Sequence, residues 1–181
     1  MAKKKRNAYL DDFQKSASGE YIYNGKFLEF NGDENLFKSI KLRMYVLTAI
    51  GVVISLVSGI LPVPGAIDSW YIILPYALEI ILLCMGLYKE LRFFRNGKKV
   101  REYIYEKTFK EFKGIFYTAL IGSTLSLLGE TIYAILNRFT FLVYVYILCK
   151  IICIIISYIN ISITKETKYT ITKETKYTVI N

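Results

Sequence analysis

Residues 139–164 read FTFLVYVYILCKIICIIISYINISIT, 26 residues in a row with one charged side chain, Lys150. A helix rises about 1.5 Å per residue, so this run reaches across a hydrocarbon core of about 30 Å. Three similar runs precede it. Residues 44–67 hold no charge, residues 69–88 hold only Glu79, and residues 114–137 hold only Glu130. Four such runs in 181 residues predict an all-α integral membrane protein, an antiparallel bundle of four transmembrane helices. The spans are expected at about 44–61, 70–88, 115–136 and 139–162, forming a membrane domain over 44–164. Pro62, Pro64 and Gly65 punctuate the first connection, Pro75 is expected to kink the second helix, and Asn137-Arg138 make a tight link between the last two.

The charge of the chain is +9, from 24 Lys and Arg against 15 Asp and Glu. Such an excess can mark a nucleic-acid binder, but its placement follows the spans instead. Nine cations precede residue 44, nine lie in 89–113, and four follow Thr164. The two opposite connections hold one, Arg138. By the positive-inside rule this predicts a multi-pass plasma-membrane protein with both termini and loop 89–113 in the cytoplasm. Contacts with anionic lipid headgroups are expected on that side, and no nucleic acid. The basic opening of residues 1–6 resembles the start of a signal peptide, but no apolar run follows before residue 44, so the first span is expected to stay uncleaved.

The segments outside the membrane carry local signals. In the N-terminal region, residues 1–43, two β-rich runs flank Asn24-Gly25, a dipeptide suited to the φ > 0 positions of a hairpin turn. A cytoplasmic β-hairpin is expected over 19–30, with Tyr23 opposite Lys26, Ile22 opposite Phe27 and Tyr21 opposite Leu28. Asp33 is placed to cap a short interfacial helix over 33–43. Between spans two and three, residues 98–113 interleave charges with Val100, Tyr103, Ile104, Phe109 and Phe112, which predicts a basic amphipathic helix. The tail, 165–181, completes two copies of an eight-residue repeat that starts at Thr164, expected to be weakly structured.

Ionisable groups inside a bilayer cost about 2.5–3.5 kcal/mol each on insertion scales, so Glu79, Glu130 and Lys150 need a reason. Counting helical rise from the outer surface puts Glu79 and Lys150 at roughly 15 and 16 Å, and Glu130 at roughly 10 Å. The spacing of Ser55 on span one, of Ser123, Ser126, Glu130 and Tyr133 on span three, and of Tyr146, Lys150, Ser157 and Asn160 on span four predicts an inward polar seam. Within it, Lys150 is expected to bridge to Glu79 or Glu130. The second carboxylate then calls for a proton, a bound cation, or a cation on a partner's helix. Cys84, Cys149 and Cys153 all fall in spans and read as small packing residues.

The chain has no histidine and no nucleophile, phosphate-binding or metal-binding motif, so no enzyme activity, cofactor or metal is expected. The Lys, Ile, Tyr and Asn bias fits an AT-rich bacterial genome. Two roles remain. One is an accessory, regulatory or self-protection subunit that binds a partner membrane complex, or a second copy, through its cytoplasmic surface. The alternative is a small proton- or cation-coupled transporter, dimeric, using Glu79, Glu130 and Lys150.

Overall fold

The computed structural model describes residues 13–15, 21–23, 26–137 and 139–172. It is mostly helical, with four helices long and apolar enough to cross a membrane. These are α1 (Glu34–Ile60), α3 (Trp70–Phe94), α5 (Phe109–Asn137) and α6 (Phe141–Glu166). Two short helices join them, α2 (Pro64–Asp68) between α1 and α3 and α4 (Glu102–Lys107) ahead of α5. Each long helix packs against two others, α1 on α3, α3 on α5, α5 on α6 and α6 back on α1, so the four close into a ring. Short connections make sequence neighbours antiparallel, and the ring follows chain order.

Close approach is set by small residues on α5. At Gly122 a Cβ would lie 3.0 Å from the Pro75 carbonyl, and at Gly129 it would lie 2.9 Å from Ile72. Glycine lets the α5 backbone approach the α3 backbone at 122 and the Ile72 side chain at 129, as small residues do where lipid offers no hydrophobic drive for helix association. Pro75 lies inside α3 without ending it. Leu, Ile and Val dominate the outer surface: Ile81, Leu128, Leu148 and Ile155 are each at least half exposed.

At one end of the ring a small sheet closes the bundle. Strand β3 (Phe27–Phe30) pairs antiparallel with β4 (Lys99–Arg101) on one side and with β5 (Tyr169–Thr172) on the other. Leu28 faces Val100 and Ile171 across the two ladders. Leu28, Phe30 and Val100 are buried, and Phe30 stacks toward Phe37 and Tyr169 at 5.5 and 5.8 Å. Beneath them Phe93, Phe94, Phe109 and Phe112 continue the aromatic cluster into the helices. A two-stranded ribbon, β1 (Phe13–Lys15) with β2 (Tyr21–Tyr23), forms a separate N-terminal hairpin.

Several local expectations are corrected. Tyr23 pairs with Phe13, Ile22 with Gln14 and Tyr21 with Lys15, not with Lys26, Phe27 and Leu28. Both edges of β3 are taken by β4 and β5, so β2 has no edge left to join; Asn24 and Gly25 lie outside the described residues. The interfacial helix does not stand apart: nothing between Ile40 and Met44 breaks a helix, and α1 runs through from Glu34. Asp33 holds the N-cap position without a side-chain cap bond. The amphipathic helix of 98–113 is divided into β4, α4 and the start of α5, because β3 draws residues 99–101 into the sheet and Thr108 stops α4 with its hydroxyl turned back to the Ile104 carbonyl. The tail is structured over its first repeat, where Tyr169–Thr172 adds to the sheet; the second repeat lies outside the described residues.

Candidate functional site

The ring encloses polar residues along its axis. Helix α6 supplies Tyr146, Lys150, Cys153, Ser157, Asn160 and Thr164 at three- and four-residue steps, all buried. Eighteen residues of helical rise make this stripe about 27 Å long, close to the full depth of a hydrocarbon core. The other helices answer it level by level.

In the middle, Lys150 Nζ lies 2.8 Å from Glu79 Oε2, both side chains wholly buried. The pair joins α6 to α3, which sit on opposite sides of the ring, so it fills the axis. The rings of Tyr76 and Tyr146 flank the ammonium, with centroids at 4.5 and 5.3 Å. Aromatic faces are electron-rich and add a second source of stabilisation to a cation held away from water. Tyr146 hydrogen-bonds Ser126 of α5.

Toward the α2 end, Glu130 is also buried but does not reach Lys150. Its carboxylate presses on α2, where a Cβ at Gly65 would meet Oε2 at 2.5 Å. It sits beside the backbone amides of Gly65 and Ala66, outside normal hydrogen-bond geometry. Tyr133, one turn on, is half-buried at the rim and donates to Asp68 Oδ2 at 3.4 Å. It therefore stands outside the buried seam that its spacing predicted.

Toward the sheet end lies a cluster that the span reading passed over. Glu90 of α3 is wholly buried. Thr48 of α1 donates to its Oε1 at 2.9 Å, and Asn160 Nδ2 donates to Thr48 Oγ1 at 3.1 Å. Three helices are thus tied by a directed chain of hydrogen bonds. Between this cluster and the central pair come Ser55, Ser123 and Ser157, all buried, and Cys153, whose thiol points to the Gly51 carbonyl at 3.8 Å. Of the residues expected on the seam, Ser55, Ser123, Ser126, Tyr146, Ser157 and Asn160 turn inward.

Two features set this interior apart from a simple ion pair. Among the described residues three buried carboxylates, Glu79, Glu90 and Glu130, face one buried lysine, an excess of two negative charges if all are ionised. Many buried polar atoms also lack a partner among the described residues: Glu79 Oε1, Glu90 Oε2, both Glu130 oxygens, Asn160 Oδ1 and the hydroxyls of Ser55, Ser123 and Ser157. Buried polar atoms are seldom left so.

Clefts approach the file from both ends. One of about 180 Å³, lined by Ser58, Gly59, Ile72, Tyr76 and Tyr146 among others, reaches the two rings that flank Lys150. Another of about 730 Å³ at the sheet end reaches Tyr45, whose hydroxyl bonds the Glu90 carbonyl at 3.3 Å.

The fold and interior together define a bundle of four helices, each long and apolar enough to cross a membrane, around a polar, charged axis. No family model matches the chain, and no curated protein or solved structure is similar to it.

Proposed function

We propose that the protein is a small proton- or cation-coupled membrane transporter whose coupling groups are Glu79, Glu90, Glu130 and Lys150. The observation that carries this reading is the surplus of two buried carboxylates over the single lysine, strung along the axis with unpartnered oxygens. In a low-dielectric interior that surplus calls for neutralisation by protons or by a cation. A proton placed on Glu79 removes the attraction that holds Lys150, and the ammonium is then retained only by the tyrosine rings. The central pair is in this way a two-state element that a proton biases. Asn160, Thr48 and Glu90 form the corresponding relay at the sheet end, and Glu130 receives from the α2 end. The distribution of cations supports an orientation with the sheet end in the cytoplasm.

The test is flux in liposomes with a pH-sensitive dye trapped inside. An imposed pH gradient is expected to collapse faster than in protein-free vesicles, and Glu79→Gln and Glu90→Gln are expected to abolish the difference while the bundle stays folded in detergent. Flux equal to that of empty vesicles, or unchanged in both variants, refutes the reading.

A second reading, the accessory subunit, is supported by the sheet. Its strand β5 has one edge that no strand pairs among the described residues. Such an edge accepts a strand from a partner. A partner's strand on β5 predicts co-purification that Ile171→Pro abolishes, because the Ile171 N–H points away from β3 and proline removes that outer-edge donor.

A further inference from the structure

At the sheet end, α3 and its C-cap residue Arg95 present Tyr88, Leu91, Arg92 and Arg95 on one face, at i, i+3, i+4 and i+7. Helix α1 presents Lys41 and Tyr45, four apart, beside them. The six side chains line the cleft of about 730 Å³. Three are cations, and none of the three has a carboxylate partner among the described residues. The nearby acids are committed elsewhere: Glu90 turns inward to Thr48, Glu34 pairs with Lys38, and Glu111 pairs with Lys89. One wall of the cleft is rigid. Tyr45 is held by its bond to the Glu90 carbonyl and by an edge contact with Phe94 at 5.6 Å, and Lys41 Nζ lies 5.8 Å from its ring.

The cleft is layered along the bundle axis. The cations lie outermost and the tyrosines one turn deeper; beyond the cleft, exposed Met85 and Ile81 continue the same face of α3. Cation, aromatic ring and aliphatic side chain in that order match headgroup, interface and acyl chain of a lipid.

We propose that this cleft binds one anionic phospholipid, its phosphate between Lys41, Arg92 and Arg95 and a chain along Met85 and Ile81. Two guanidiniums suit a phosphate because each offers paired donors in a fixed fork. Tyr45 links the site to the file, since its ring walls the cleft and its hydroxyl holds the turn that carries Glu90. The site rests on the membrane reading and is independent of any transport, so it stands or falls without a flux measurement.

The experiment is native mass spectrometry of the detergent-purified chain titrated with phosphatidylglycerol or phosphatidylcholine of the same acyl chains. A single phosphatidylglycerol is expected to be retained in clear preference to phosphatidylcholine. Arg92→Gln with Arg95→Gln is expected to weaken it about twenty-fivefold, taking roughly fivefold for each cation near an anionic group. Lys38→Gln, on α1 but outside the cleft, is expected to leave it unchanged. The three positions changed are exposed and their replacements keep the helix, so the variants fold and the comparison is direct. Equal retention of the two lipids, an unchanged preference in the double variant, or displacement of the lipid by millimolar glycerol phosphate overturns the proposal.

Discussion

The Lys150–Glu79 pair shows what a single buried charge demands. Replacing Lys150 by Met leaves Glu79 in the interior with no countercharge, and the loss is expected to be about 3–5 kcal/mol. Glu79→Gln with Lys150→Met removes both charges and is expected to recover most of that, because a neutral pair of similar volume pays little desolvation. Unfolding in graded detergent mixtures measures both; a double variant as unstable as Lys150→Met would show that volume, not charge, holds the centre. Glu90 obeys a different rule. Its carboxylate accepts from Thr48 without a cation nearby, so Glu90→Gln is expected to shift stability by about 1 kcal/mol or less, whereas Thr48→Val is expected to cost about 1–3 kcal/mol by orphaning Glu90 and Asn160 together. Glu79, Glu130 and Lys150 could be read from the sequence because each stands alone among apolar neighbours, but the partner of Lys150 stayed open between Glu79 and Glu130 until the packing of the helices chose Glu79. Glu90 could not: it is flanked by Lys89 and Arg92 and reads as part of a solvated loop. Only the continuation of α3 to Phe94 turns it inward.

Among the elements, α5 depends most on what is missing from its side chains. Gly122→Val is expected to cost at least about 1–3 kcal/mol, since the new atoms meet the Pro75 carbonyl, which cannot rotate aside. Gly114→Ala, in the same helix with nothing within 4 Å of the added Cβ, is expected to stabilise by about 0.5–1 kcal/mol through helix propensity. Opposite signs from two glycines on one helix, read by thermal unfolding in detergent, isolate helix contact from propensity; equal effects would refute the close crossing. The long helices were legible because a membrane span is specified by length and apolarity alone, without knowledge of its neighbours. The strands were not. Asn24-Gly25 signals a turn locally, but the pairing of β3 is decided by residues 99–101 and 169–172, some 70 and 140 positions away. No short-range rule carries that information. The same contact converts the first tail repeat from loose chain to strand, with Tyr169 packed on Phe30, Phe93, Tyr105 and Phe109. Its hydroxyl is buried without a partner, so Tyr169→Phe is expected to be neutral or slightly stabilising, while Tyr169→Ala is expected to cost about 2–4 kcal/mol and free the tail for proteolysis.

Taken whole, the molecule is a ring of four helices closed at one end by a sheet that joins the N-terminal region, the α3–α5 connection and the tail. A polar axis inside an apolar ring fixes rotation of each helix, since any turn of α6 about its own axis would carry Lys150 into lipid. The sheet fixes the ends, because β3 binds two segments that leave different helices. Direction across the bilayer is a separate matter, for which the sequence offers the positive-inside rule: the segments before residue 44, over 89–113 and after Thr164 carry 22 Lys and Arg, and the two opposite connections carry one. Two single-cysteine substitutions test it. Ile67 in α2 and Lys110 near the start of α5 are both exposed and lie at opposite ends of the bundle. A membrane-impermeant maleimide added to intact cells is expected to label Ile67→Cys at once and Lys110→Cys only after permeabilisation. Cys84, Cys149 and Cys153, within the spans, stay beyond its reach in the parent chain and supply the background. Labelling of Lys110→Cys in intact cells would reverse the orientation, and with it the leaflet in which the basic cleft meets its lipid.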